Sequence, residues 1–351
     1  MIKILHFIKD SRKPIVWIVL IFLMILVSLA LRQSQSRWIN VKEQFHLLGT
    51  LVEIQIPCEK DREQEARQAI LSARDEVARL EQLMSLYLEE SDISRVNRDA
   101  SDGPVRVSEE TFQTVKKAVE FSVLSQGAFD VSFMPVGKLW RLNPENPYIP
   151  TEEEIREKMP LVNYKNIVLD DQKKTIYFRR KGMEIGLGGI AKGTAVNWAI
   201  RAIRKRGLSN ALVNAGGDLY ALGLNAEKKS WRIGIQHPRD KSKFLTTIEV
   251  SNRAVVTSGD YERMVIVNGR RFHHILDTKT GHPAEKCISV TVVTQDAERA
   301  DALATALFVL GAEKGLELVK KMPDTEALIV SSDEKIYATD TFGFSKGQKL
   351  P

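Results

Sequence analysis

Residues 184–200 read "EIGLGGIAKGTAVNWAI". Met183, Ile185 and Leu187 alternate as along a strand, Gly186, Gly188 and Gly189 break the alternation, and the apolar spacing then becomes helical. A strand passing through a glycine turn into a helix presents unpaired backbone N–H groups and the positive end of a helix dipole, which suits a phosphate or another anion. Lys192, in the first turn of the predicted helix, adds a point charge. The stretch is neither a Walker loop nor the dinucleotide fingerprint, so on its own it fits a structural turn equally well.

Working outward, 167–169 and 175–178 flank "DDQKK" and predict a hairpin leading into this turn, while Gly207 is a natural stop for the helix after it. Upstream, residues 51–56 read as a strand. Ala66, Ile70, Ala73, Val77 and Leu80 form a helical stripe that belongs to a core. Ser108 opens a second helix, and Thr151 with Glu154 has the form of a capping box. Strands are predicted at 211–213, 231–235, 244–250, 264–267 and 289–293. Such interleaving predicts an α+β fold with no internal repeat.

The chain has 351 residues, room for one large domain or two modest ones, and its 43% hydrophobic and 27% charged content is that of an ordinary globular protein. The net charge of +6 is concentrated at the N-terminus, where Lys3, Lys9, Arg12, Lys13 and Arg32 face only Asp10. That leaves 46 basic against 44 acidic residues elsewhere, so no nucleic-acid partner is implied. Residues 15–31 are apolar except for Ser28, near the lower limit for a membrane-spanning helix, and the preceding basic flank at 1–14 places the N-terminus inside. The expectation is a single-pass anchor or uncleaved signal in the cytoplasmic membrane, a linker over 32–44, and a folded domain over 45–345 on the periplasmic or extracellular side, with a tail at 346–351. A cleaved signal peptide is the competing reading. Cys58 and Cys287 could pair in an exported protein, but two buried free thiols are the simpler expectation.

The helix "ADALATALFVL" at 300–310 has two polar residues, Asp301 and Thr305, one turn apart on an otherwise apolar surface. A buried carboxylate must be paired or neutralised, so oxygen ligation of a hard cation is one use for the pair. The other is structural, with Thr305 bonding back to the Asp301 carbonyl and Asp301 meeting a buried base. In "FHHILDTKTGHPA", His274 and Asp277 are acid–base candidates on a short extended segment. Zinc is disfavoured by the spacing. Asn214, Asp218, Thr257 and Ser258 sit in further glycine turns that read as tight connections, and Tyr87, Phe129 and Asp130 could contact a ring or accept a bond.

Taken in order, "HLLGTLVEI", "MSLYLEESDISRVN", "GAFDVSFMPVGKLW", "EIGLGGIAKGTAVN", "ALVNAGGDLYALG", "WRIGIQHP", "AVVTSGDYER", "HHILDTKTGHPA" and "SVTVVTQDAERADALATALFVLG" resemble the ApbE-type FAD:protein FMN transferases. The resemblance implies a two-lobed mixed α/β fold and Mg²⁺-dependent transfer of FMN from FAD to a Thr or Ser hydroxyl of a target protein, with release of AMP. It also implies roles for individual residues. The metal would be held by the Gly189 carbonyl, Asp301 and Thr305. Leu48, Tyr87, Ala128, Phe129, Asp130, Gly186, Lys192 and Leu276 would line the flavin nucleotide, and His274 with Asp277 would sit at the reacting phosphoryl group. The implied targets are flavin-carrying subunits of membrane redox complexes, of the Rnf or sodium-pumping quinone reductase type. Three positions depart from the family pattern: Gly186 stands where an aspartate is common, Leu48 replaces a usual methionine, and Thr278 a usual proline. The first removes an expected cofactor contact, for which Glu184, two residues earlier on the same face, is a candidate substitute. Two rival functions are a flavin carrier or sensor without turnover, and a pyrophosphatase giving FMN and AMP.

Overall fold

A nine-stranded sheet separates two cores. The structure, a computed structural model, describes residues 13–35 and 38–350. In chain order, β1 (Trp38–Leu47) and β2 (Thr50–Glu59) form a hairpin, while β3 (Val105–Arg106), β4 (Ile167–Asp170) and β5 (Thr175–Phe178) make a small sheet of their own. β6 (Ala211–Ala215) pairs with β7 (Asp218–Leu222), β8 (Trp231–Gln236) with β9 (Phe244–Val250), and β11 (Met264–Val267) with β12 (Arg270–His273). With β10 (Arg253–Gly259), β13 (Cys287–Thr294), β14 (Glu326–Ser331), β15 (Lys335–Ala338) and β16 (Gln348–Lys349), the large sheet runs β1-β2-β6-β7-β10-β13-β14-β15-β16, antiparallel throughout.

The period of two along each strand decides which core a residue enters. Ala254 and Val256 of β10 and Ala327 and Ile329 of β14 join the helix-covered core, whereas Val255, Leu328 and Val330 join the core closed by the β8–β9 hairpin through Trp231, Ile233 and Ile235. Three helices cover the first face: Glu63–Met84, whose stripe from Ala66 to Leu80 is buried as expected, Ala191–Lys205 and Ala297–Leu310. Ser108 caps the helix Glu109–Leu124, and the Thr151–Glu154 capping box is formed in full. A satellite cluster of Trp140, Ile155, Val265, Phe272 and Leu276 lies outside both cores.

Three expectations change. Residues 183–187 keep the alternating burial but are not a strand: Asn97 supplies what a neighbouring strand would, donating to the Ile185 carbonyl (2.9 Å) and accepting from its N–H (2.8 Å). Residues 38–44, read as linker, belong to β1, whose full-length pairing with β2 satisfies their backbone through a hairpin turn at Leu48 and Gly49 (φ 57° and 65°). The apolar run at 15–31 lies in the helix Lys13–Gln35, but the basic flank at 1–12 falls outside the described residues. Among the described residues no helix is long and apolar enough to cross a membrane; the side chains described in that helix run only over 17–28. Cys58 and Cys287 are buried free thiols, the latter pushed up to about 12 by burial.

Candidate active site

The helices Ala191–Lys205 and Ala297–Leu310 cross so closely that a Cβ on Gly193 would lie 2.2 Å from the Ala297 carbonyl oxygen. Only glycine permits that approach. Each helix then caps the other. Asp301 accepts the Gly193 N–H (3.1 Å) from the start of the first helix, and Asn197 accepts the Ala297 N–H (3.1 Å) at the start of the second. The first helix carries no acidic residue in its opening turn and no side-chain cap of its own, so Asp301 supplies the negative charge its dipole favours. Asp301 thus caps the first helix, and the buried base that a structural role would require is also at hand in Lys192, on which its charge acts.

Around that crossing the charges converge. The Lys192 ammonium donates to Asp218 Oδ2 at 2.6 Å. Burial opposes its charge, but Asp301 and Asp218 outweigh burial and raise its pKa, so it stays an ammonium ion. Burial and the neighbouring Asp301 raise the pKa of Asp218 well above the usual carboxylate range, while Lys192 pulls the other way. Asp218 Oδ1 is fully buried and has no hydrogen-bond partner. Beside them the glycine turn brings Gly189 against Thr305, whose Oγ1 lies 3.2 Å from the position of a Gly189 Cβ, and against the Phe129 ring at 3.0 Å. At Gly188 nothing lies within 4 Å of that position, so the turn is open there. The oxygens of Asp301 and Thr305, with the Gly189 carbonyl of the adjoining turn, are hard donors of the kind that suit Mg²⁺, and the orphaned Asp218 oxygen marks a corner with an unmet demand for positive charge. Among the described residues no group of three or more His, Cys, Asp or Glu could hold a metal, so a cation here depends on the hydroxyl and carbonyl.

His274 reaches the same region from another module. Its backbone N–H and its Nδ1 both approach the Arg263 carbonyl, at 3.1 and 3.3 Å. The ring is open to solvent on one side and crowded by protein on the other. That desolvation, then the Arg263 guanidinium, with smaller effects from His273 and Lys192, lowers its pKa to about 4. The ring is thereby neutral at neutral pH and able to accept a proton, as a weaker base than an ordinary imidazole. Asp277 does not join it. Its Oδ1 accepts the Lys279 N–H (2.8 Å) and its carbonyl the Gly281 N–H (2.8 Å), so it shapes the turn. Thr278 donates to the Gly127 carbonyl, tying the turn to the loop of Ala128, Phe129 and Asp130, and Trp140 Nε1 donates to the Gly281 carbonyl (3.0 Å). A proline at 278 could not make the first bond.

The remaining predicted residues fall into two groups. Tyr87, 88% exposed, is free to meet a ligand, whereas Leu48 in its left-handed turn packs against the main core and donates its N–H to Glu81 (2.9 Å). Asp130 is occupied by Ser132 and by the Tyr164 N–H, and Leu276 packs in the satellite cluster. Gly186 is crowded: a Cβ would lie 2.5 Å from both Cγ and Sδ of Met134, so the methionine fills the space that a longer side chain would need. Glu184, the candidate substitute, is ion-paired with Lys138. The sequence reading missed Asn97 and Met134, which left no signal, and took Asp218, a carboxylate ending a Gly-Gly turn, for part of a tight connection.

A family model described as the ApbE family matches residues 48–329. The chain belongs to the ApbE family. The FAD:protein FMN transferase of Klebsiella pneumoniae is 32% identical over 262 residues, 74% of this chain and 81% of the relative. The ApbE protein of Thermotoga maritima superposes with a TM-score of 0.80 at 35% identity, covering 87% of this chain and 98% of that one. The flavin transferase ApbE of Vibrio cholerae gives 0.77 at 28% identity, with 87% and 99% covered. The mixed α/β ApbE fold expected from the sequence is thus present.

Proposed function

We propose that this protein is an FAD:protein FMN transferase that moves FMN from FAD to a Thr or Ser hydroxyl of a target protein and releases AMP. The observation that carries the reading is the convergence, in a member of this family, of the open glycine turn, the Lys192 ammonium and the Asp301–Thr305 pair at one helix start. Asp301, Thr305 and the Gly189 carbonyl would hold Mg²⁺, whose charge offsets that developing on the diphosphate. Lys192 and the N–H groups of the turn bind the same diphosphate, Phe129 backs the turn, and exposed Tyr87 offers a face to the flavin ring. Neutral His274 takes the proton of the acceptor hydroxyl as that oxygen bonds to the FMN phosphorus. The bond from this phosphorus to the bridging oxygen breaks, and the oxygen leaves with AMP. Most of the rate then comes from positioning and preorganised charge.

The acceptors we propose are flavin-carrying subunits of membrane redox complexes of the Rnf or sodium-pumping quinone reductase type. The apolar run at 15–31 serves as a single-pass anchor that leaves the catalytic domain outside the cytoplasmic membrane. Its support is the basic flank before the run and the exposed Trp17, Phe22 and Met24. Protease added to intact spheroplasts should digest the catalytic domain, and complete protection would contradict this topology.

Incubation with FAD, Mg²⁺ and such a subunit, following AMP and protein-bound flavin fluorescence together, tests the function. Transfer gives both products in equal amounts. AMP without labelled protein would mean hydrolysis, and neither product would mean a flavin carrier or sensor.

A further inference from the structure

We propose that Asp218 is a positioning residue: it parks the Lys192 ammonium on one of its oxygens and thereby keeps the Asp301 carboxylate open for a divalent cation. The inference rests on the reading of this corner as a cation site. Asp218 is the first residue of β7, delivered by the Gly216–Gly217 turn to the start of the helix Ala191–Lys205. Oδ2 holds the ammonium at 2.6 Å, while Oδ1 is buried without a partner. A buried carboxylate left half-satisfied is costly, so this geometry persists only if the rest of the site benefits from it.

The benefit lies in what Lys192 would otherwise do. It is buried, it is charged, and Asp301 is the carboxylate that acts on it most strongly, although its ion pair is with Asp218. Without Asp218 the acids left to the ammonium are Asp301 and, acting more weakly, Glu262, and the stronger of the two is the proposed cation ligand. Lysine has a flexible four-carbon stem, so the shift needs only side-chain rotation. An ammonium on Asp301 competes with a divalent cation directly, whereas an ammonium on Asp218 remains near the diphosphate without blocking the ligand.

The test is direct Mn²⁺ binding, read by the electron paramagnetic resonance of free Mn²⁺, on the protein without FAD. Asp218→Asn preserves shape and should weaken Mn²⁺ binding by roughly tenfold or more, the scale of lost outer-sphere partners at metal sites. Lys192→Met in the otherwise native protein should change it by less than about threefold, yet in the Asp218→Asn background it should restore most of the lost affinity. Plain additive electrostatics predicts the same factor for Lys192→Met in both backgrounds, and that result would overturn the inference. So would a tenfold gain from Lys192→Met alone, a measurement that does not depend on the folding of any Asp218 variant. Native protein that binds no Mn²⁺ overturns the cation site itself, and this inference with it. Native binding abolished by Asp301→Ala but unchanged by Asp218→Asn overturns the role of Asp218 alone.

Discussion

The two halves of the site are built by opposite means. The Asp301 corner sits where two buried helices cross with backbone in contact, each capping the other, and its charged groups are held by neighbours from three elements. The His274 half is a short turn at the edge of the main core, which Ile275 enters; Thr278 fastens it to the Gly127 carbonyl, Trp140 holds its Gly281 carbonyl, and the histidine is solvent-accessible. The corner is built on helices, whereas the turn is a loop that leaves its histidine accessible. Precise geometry for the diphosphate from helices and access for a macromolecular hydroxyl from a loop is a sensible division.

The largest effect should come from Asp301→Ala, which removes both the proposed cation ligand and the cap on the Gly193 N–H. Mg²⁺-dependent turnover should vanish while the fold survives, because a buried charge and not a packing group is lost. Wild-type activity with an unchanged Mg²⁺ titration would remove the cation from this corner. Next is Gly193→Ala, where the new methyl meets the Ala297 backbone. Denaturant unfolding should show a loss of about 3 kcal/mol, the upper range for overpacking, and an unchanged midpoint would deny that the crossing is tight. Thr305→Val keeps the shape and removes one neutral oxygen, so Mg²⁺ should bind roughly tenfold more weakly.

Smaller still is the effect of Gly186→Ala. Its methyl should displace Met134 and weaken FAD binding a few-fold, and the penalty should disappear when Met134 is also alanine. Equal penalties in both backgrounds would show that Met134 is not the obstacle.

The turn can be tested by its charge. With a folded-state pKa of about 4 against an ordinary value near 6.5, the His274 ring should stay neutral through pH 5.5 when its Cε1 proton is followed by NMR. The unfolded chain takes up the proton first, so the stability linked to this ring is present above about pH 6.5 and declines as pH falls toward 4. Ordinary titration near 6.5 would mean that the ring is not held neutral by its surroundings.

The same contrast explains what the sequence reveals. A lone Asp and Thr on an apolar helix stand out because burial of the helix follows from its composition, and the structure buries it on nearly every side. The strand alternation of the large sheet is equally legible, since each strand feeds two cores by turns. His274 and Asp277 lie three residues apart in sequence but do different work, because a turn can absorb a carboxylate into its own backbone bonds, and no spacing rule tells when it will. Asp218, Met134 and Asn97 act across 26, 52 and 88 residues, on Lys192, Gly186 and Ile185. Contacts of that range are set by topology, which local pattern does not encode. Gly186 read as a missing contact, and in the folded protein it is the space that Met134 occupies.

The division between a corner that binds and a turn that reacts is tested most directly in His274→Gln, by measuring the FAD dissociation constant and the single-turnover rate of FMN transfer at saturating FAD on the same preparation. The account predicts FAD affinity within about threefold of the native protein and a transfer rate lower by roughly 10²–10⁴, the range for loss of a general base. Weakened FAD binding with a native rate at saturation would contradict it, placing His274 among the groups that shape the pocket and leaving the proton of the acceptor hydroxyl to another residue.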